Sequence, residues 1–213
     1  MRNPPSFDDT FRDQFRNLIA WRRDVRRFRA DLLPQGTLER LLEWSLCAPS
    51  VGLSQPWRFV IVDNLLYRSQ IGEVFKACNA TALASYSGET AQNYAKLKLA
   101  GLEEAPCHIA VFADRKTPLG RGLGQMTMPQ MAEYSTVTAI HTLWLLARAE
   151  DIGMGWISIL DPARVAKILD VSQEWQFIAY LCLGYPAQSS DTPELEREGW
   201  EKRHSYAEFL LRR

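Results

Sequence analysis

From Pro129 to Glu150 the chain reads PQMAEYSTVTAIHTLWLLARAE, apolar on nearly every side when wound as a helix. Such a helix belongs in the middle of a fold, so the remaining segments must supply the layers that bury it. WRFVIVD (57–63) and CHIAVFAD (107–114) precede it as short β-rich runs, and MGWISIL (154–160) and WQFIAYLCLGYP (175–186) follow it as two more. Helical periodicity marks 7–20, 35–48, 65–80 and 90–104. DPARVAKILD starts a further helix, with Asp161 as N-cap and Pro162 at the first helical position. This irregular alternation, without repeats or low-complexity tracts, predicts a mixed α/β or α+β sheet domain. With 213 residues, 46% of them hydrophobic, the chain suits one sizeable core and is short for two ordinary domains. One domain over 1–213 is expected. The polar stretch SYSGET, between two of the helical runs, has the composition of a mobile cover.

Charge and thiol content narrow the function. Lys+Arg and Asp+Glu both number 25, so no overall field draws the protein to nucleic acid or to an anionic membrane. The start, MRNPPSFDDTF, lacks a signal-type apolar core, and no run approaches the roughly 20 apolar residues of a membrane span, so a cytoplasmic protein is expected. Cys47, Cys78, Cys107 and Cys182 are scattered in or beside apolar segments, which predicts reduced, buried thiols. His108, His141 and His204 lack metal-ligand spacing, and no metal is expected.

Three motifs carry chemistry. GRGLGQ (120–125) resembles a dinucleotide loop but has Gln125 at the third glycine position and a long connection to the next helix; a flexible loop is the better reading. RRDVRRF (22–28) packs four arginines around Asp24. Alone, it reads as a solvated basic turn. PSVGLSQPW (49–57) alters that weighing, because its Pro, Gly and Ser content suits a backbone that approaches a ligand with amides and hydroxyls as donors. Arginine forks with a hydroxyl-bearing loop predict a phosphate site.

Together RRDVRRF and PSVGLSQPW resemble the FMN-binding pattern of the nitroreductase-like flavoproteins, and the resemblance runs from about residue 16 to 206. Asp24 stands where common members carry Ser, and Leu53 where they carry Asn. TMPQMAEYSTVTAIHTLWLLARAEDIGMGWISIL and PELEREGW are similar to a flavin-consuming branch of that family, in which reduced FMN reacts with O2 and is fragmented to 5,6-dimethylbenzimidazole, the lower ligand of vitamin B12, and erythrose 4-phosphate.

The resemblance implies an α+β homodimer with a mainly antiparallel central sheet flanked by helices, FMN sites at the subunit interface, and a C-terminal extension, about 187–213, packed on the partner. Reduced FMN and O2 would be the reactants, with a separate flavin reductase supplying the former. Asp24 and Ser158 match the branch's two characteristic polar residues near the flavin and are the implied catalytic pair, Asp24 ionised and held by Arg22, Arg23 and Arg26, and Ser158 on its strand near ring N5. Arg22, Arg23, Asp24, Val25, Arg26, Ser50, Leu53, Ser158 and Arg203 are the implied flavin contacts, with Leu53 leaving ring contacts to the 51–54 backbone. An NAD(P)H-dependent nitroreductase or quinone reductase retaining FMN, and a non-catalytic flavin-binding protein, are the alternatives.

Overall fold

The computed structural model describes residues 3–213. Four strands, β1 (Trp57–Ile61), β2 (Cys107–Asp114), β3 (Gly153–Ile157) and β4 (Trp175–Gly184), form one sheet in the order β1-β2-β4-β3, every pairing antiparallel. Its two inner strands explain the near-continuous apolar runs in the sequence, since a strand covered on both faces needs no polar alternation. Ala110, Phe112, Tyr180 and Cys182 point to one side and pack on α3 (Leu65–Ala84) and α6 (Pro162–Ile168). Ile109, Val111, Ala179, Leu181 and Leu183 point to the other, where α2 (Thr37–Ser45) and α5 (Met131–Ala149) cover them. The chain is therefore a three-layer α+β fold. The helix expected at 129–150 is α5, central to its layer through Ala139, Ile140, Leu143 and Ala147, while Tyr134 and Val137 face outward. Asp161 caps α6 by accepting from the amides of Ala163 and Arg164, as the sequence predicts.

Three expectations change. The helix expected over 90–104 stops early: α4 spans Gly88–Lys96, and 97–105 crosses the molecule as turn and irregular chain. Tertiary packing decides this, because that segment sets Gly101 against the buried Phe28 ring, where a Cβ would meet ring carbon at 2.4 Å. The GRGLGQ loop is docked rather than loose. A Cβ on Gly120 would lie 2.5 Å from the Gly52 carbonyl oxygen, so glycine is what lets the two loops touch. All four cysteines are free, but only Cys182 is buried: Cys78 and Cys107 are half-buried, and Cys47 is exposed at the turn after α2, where its neighbour Leu46 is exposed as well.

α1 (Asp9–Trp21) buries no residue, and its apolar stripe of Phe11, Phe15 and Ile19, joined by Phe7, faces outward. Tyr206, Phe209, Leu210 and Leu211 of the tail are likewise exposed.

One buried polar pair has a measurable signature. His108, 1% exposed, meets the Tyr180 hydroxyl through Nδ1 at 3.0 Å. Burial, then the nearby Arg68, lowers the imidazole pKa to about 4 from 6.5. The unfolded chain accepts this proton near pH 6.5 and the folded chain only near pH 4, so stability present above 6.5 is lost as pH falls through that window. At about 1.4 kcal/mol per unit the loss is about 3 kcal/mol. Urea unfolding between pH 7 and pH 4 should show it, and His108→Phe should flatten that part of the profile. An equally steep profile in the variant would assign the loss to other groups.

Candidate functional site

After α1 the RRDVRRF segment runs along the outer edge of β3. Val25 donates its amide to the Met154 carbonyl at 3.0 Å, and Asp24 Oδ1 accepts from the Trp156 amide at 2.9 Å. Gly155 makes this approach possible, since a Cβ there would stand 2.2 Å from the Val25 carbonyl oxygen. On the other side of the carboxylate, Arg26 Nε donates to Asp24 Oδ2 at 2.9 Å. Arg26 is only 12% exposed and also donates Nη1 to the Lys98 carbonyl at 3.1 Å, so two of its donor atoms are committed inside the protein.

Asp24 is thus held from two sides, by Arg26 and by a main-chain amide, rather than by the three arginines the sequence suggests. The direction of its pKa also differs from expectation. Burial pushes the carboxyl above the ordinary aspartate range, opposed by Arg26, the Trp156 amide and Arg22. Its side chain keeps 30% exposure in the lone chain, so solvent relieves part of that push. A carboxyl raised this way and fixed at both oxygens is suited to hold and exchange a proton.

Beside it, Arg22, Arg23, Arg26 and Arg203 line one recess together with Glu194. The Arg22 guanidinium lies over the Trp144 ring, 4.7 Å from its centroid, and Trp144 donates Nε1 to the Arg23 carbonyl at 3.1 Å. Arg23 donates to the carbonyls of Arg22 and Asp191 but leaves Nε buried without a partner. Burial and the charge of Arg203 both lower the pKa of Arg22 and Arg23, Arg22 being relieved partly by Asp24. Guanidinium groups that repel one another, with an unpaired donor among them, form a site that an anion stabilises. Glu194 does not neutralise the cluster, because its carboxylate pairs with Arg27.

The second predicted half lies elsewhere. Ser50 and Leu53 precede β1, at the opposite edge of the sheet from β3, and the α5 residues that anchor the two halves, Ser135 and Trp144, are about nine positions or roughly 13 Å of helix apart. Neither Ser50 nor Leu53 lines the arginine recess. The free amides expected in this loop are mostly used: Val51 donates to Ser135 Oγ at 3.0 Å, Leu53 and Ser54 to main-chain carbonyls, and Gln55 to Ser50 Oγ at 3.1 Å. Gly52 keeps its amide outside these bonds. Leu53 has φ 57° and Gln55 φ 42°, conformations that cost a side-chain-bearing residue roughly 1–3 kcal/mol, and Leu53 is 73% exposed. Ser158 is exposed just past the end of β3, outside the strand in which the sequence places it, because pairing with β4 stops at Ile157 opposite Tyr180. It follows by two residues the Trp156 amide that holds Asp24.

The sequence reading missed the Trp156 amide, the Trp144 ring and the Lys98 carbonyl. Two of these are main-chain groups with no residue-type signal; Trp144, within the apolar helix, reads there as core.

Residues 19–185 match the profile of the nitroreductase family. A 5,6-dimethylbenzimidazole synthase of Rhodospirillum rubrum is 53% identical over 206 residues, covering 97% of this chain and 98% of that protein. One from Rhodobacter capsulatus is 44% identical over 197 residues, covering 92% and 95%. Among solved structures, oxidized iodotyrosine deiodinase bound to FMN and 3-iodo-L-tyrosine superposes with a TM-score of 0.70 at 24% identity, covering 83% of this chain and 91% of that one.

Proposed function

This chain belongs to the nitroreductase family, and we infer that within it the protein is a 5,6-dimethylbenzimidazole synthase, an oxidoreductase that fragments reduced FMN with O2 to 5,6-dimethylbenzimidazole and erythrose 4-phosphate. The observation that carries the reading is Asp24, a two-point-anchored carboxyl of raised pKa at the rim of a four-arginine recess. A reductase that only passes electrons through a retained flavin has less need of such an acid/base group.

The recess fits the FMN phosphate by its donor chemistry, with Arg22, Arg23 and Arg203 as the groups that would hold it and Arg23 Nε as a donor awaiting an acceptor. Reduced flavin supplies the electrons that activate O2. Asp24 holds or moves a proton at the ribityl carbon and ring nitrogens, where fragmentation requires proton transfer, and Arg26 fixes its orientation. Ser158 offers a neutral hydroxyl that donates or accepts without adding charge. The exposed Leu53 and the Gly52 amide would border the ring.

The working unit is a homodimer. Because the arginine recess and the Ser50–Leu53 loop sit on opposite edges of one sheet, a second copy is what can bring one chain's loop to the other's recess. The uncovered faces of α1 and of the tail, which we read as the extension reaching the partner, offer the surface. No helix among the described residues is long and apolar enough to cross a membrane, and four free thiols accord with a reducing, cytoplasmic setting where a separate reductase supplies reduced FMN.

Mixing the protein with FMN and NAD(P)H in air tests the choice within the family. No sustained NAD(P)H oxidation above the flavin-only rate is expected; steady turnover would favour a retained-cofactor reductase.

A further inference from the structure

A second cavity, of about 480 Å3, lies between α3 and the 97–105 segment, away from the arginine recess. Its volume falls within the range of small-molecule sites. Phe75, Leu97, Leu99 and Leu102 give it an apolar wall. The cations at its rim are each matched to a carboxylate: Lys76 to Glu73, Lys98 to Glu104, and Arg68, more distantly, to Asp63 at 3.8 Å. Glu103 lines the cavity outside these pairs, so three cations, Arg68, Lys76 and Lys98, face three carboxylates, Glu73, Glu103 and Glu104, and a lining without net charge favours a neutral guest.

Two polar atoms have no partner there. His108 lines the cavity and is 1% exposed; the Ala105 carbonyl lies near enough to its ring to raise the imidazole pKa, but the buried Nε2 makes no hydrogen bond of good geometry. Glu104, also lining it, has Oε2 buried and unbonded while Oε1 takes Lys98. Leaving such groups unpaired is costly, and a ligand that pairs them recovers the cost. Glu104 Oε2 calls for a donor. His108 Nε2 calls for an acceptor or a donor according to whether Tyr180 gives its proton to Nδ1 or receives one. Gly72 adds a separate indication. It lies inside the 20-residue helix α3, where glycine is unfavourable, lines the cavity, and has nothing within 4 Å of where a Cβ would project. The space over the helix is left open at a cost to the helix.

We propose that this cavity binds the benzimidazole product, a neutral bicyclic azole that carries one N–H donor and one bare acceptor nitrogen on an apolar body. The identity of the guest rests on the reaction inferred above, whereas the site rests on the cavity itself. The 97–105 segment is the partition between the two places, since its Lys98 carbonyl accepts from Arg26, the residue that orients Asp24. Product formed beside Asp24 is held one chain-thickness away, leaving the flavin site free for the next reduced FMN.

The test is equilibrium dialysis of 5,6-dimethylbenzimidazole against the full-length, flavin-free protein, with FMN affinity measured in parallel. Wild type should bind the azole, saturating FMN should not displace it, and the 15N signal of His108 Nε2 should shift on binding. Gly72→Leu, which fills the cavity with a good helix former, should weaken azole binding at least tenfold while leaving FMN affinity within about twofold and thermal stability equal or higher. His108→Phe should weaken the azole comparably. Absence of binding, displacement by FMN, or equal azole affinity in Gly72→Leu would overturn the site. If wild type makes no benzimidazole from reduced FMN while Gly72-dependent binding persists, the inferred reaction and the cavity's product role fall together and an azole site stands; product formation without such binding removes the site alone.

Discussion

Asp24→Asn is expected to bind reduced FMN with near-normal affinity and to lose 5,6-dimethylbenzimidazole formation by about 10²- to 10⁴-fold at saturating flavin. The affinity is spared because the recess donors belong to Arg22, Arg23 and Arg203, none of which hydrogen-bonds Asp24. The chemistry is lost because an amide takes up no proton. The substitution also disturbs position: Asp24 accepts from Arg26 Nε and from the Trp156 amide, and the NH2 group of Asn would face one of those donors. Such a conflict costs roughly 1–3 kcal/mol, enough by itself for about a tenfold to hundredfold defect. The pH profile of single turnover separates the two effects. Wild type should show a limb set by Asp24 ionisation, displaced above that of an exposed aspartate by burial, and the variant should lack that limb. A variant that keeps it, with a merely lower plateau, would make Asp24 a structural counter-charge.

Deleting 193–213 should lower FMN affinity more than about a hundredfold and shift the dimer toward monomer. The segment contributes Arg203 to the recess, Glu194 to Arg27, and Trp200 to an aromatic cluster with Tyr86 and Tyr94 at centroid distances of 5.7 and 6.0 Å. It also carries the exposed Tyr206, Phe209, Leu210 and Leu211, which the proposed partner would cover. Arg203→Ala alone removes one charge-assisted contact worth roughly 1.5–3 kcal/mol, so it should cost about ten- to hundredfold in affinity and leave association intact. Sedimentation with flavin titration checks both. A truncated monomer with normal FMN affinity would contradict the shared site and the role of the tail.

The strands were legible in the sequence because inner strands buried on both faces read as continuous apolar runs, as in IAVFA of β2. The α6 start was legible because Asp161 and Pro162 act locally. The basic half of the candidate site was legible as RRDVRR, and resemblance added Arg203, which lines the same recess. What local pattern does not contain is burial. The rise in the Asp24 pKa depends on desolvation by packed chain, whereas the sequence shows only flanking arginines, which pull the other way. The 97–105 segment has helical periodicity but is held by the fit of Gly101 to Phe28, a contact between distant residues. The 49–57 loop announces its glycine and serines without revealing that Ser50 and Ser135 consume its amides.

The most direct measurement is a single turnover. Anaerobically reduced FMN bound to the protein is mixed with oxygenated buffer, and flavin and products are separated and identified by mass. The account predicts loss of the isoalloxazine with about one 5,6-dimethylbenzimidazole formed for each flavin consumed. Quantitative return of oxidised FMN, with no dimethylbenzimidazole, would contradict it.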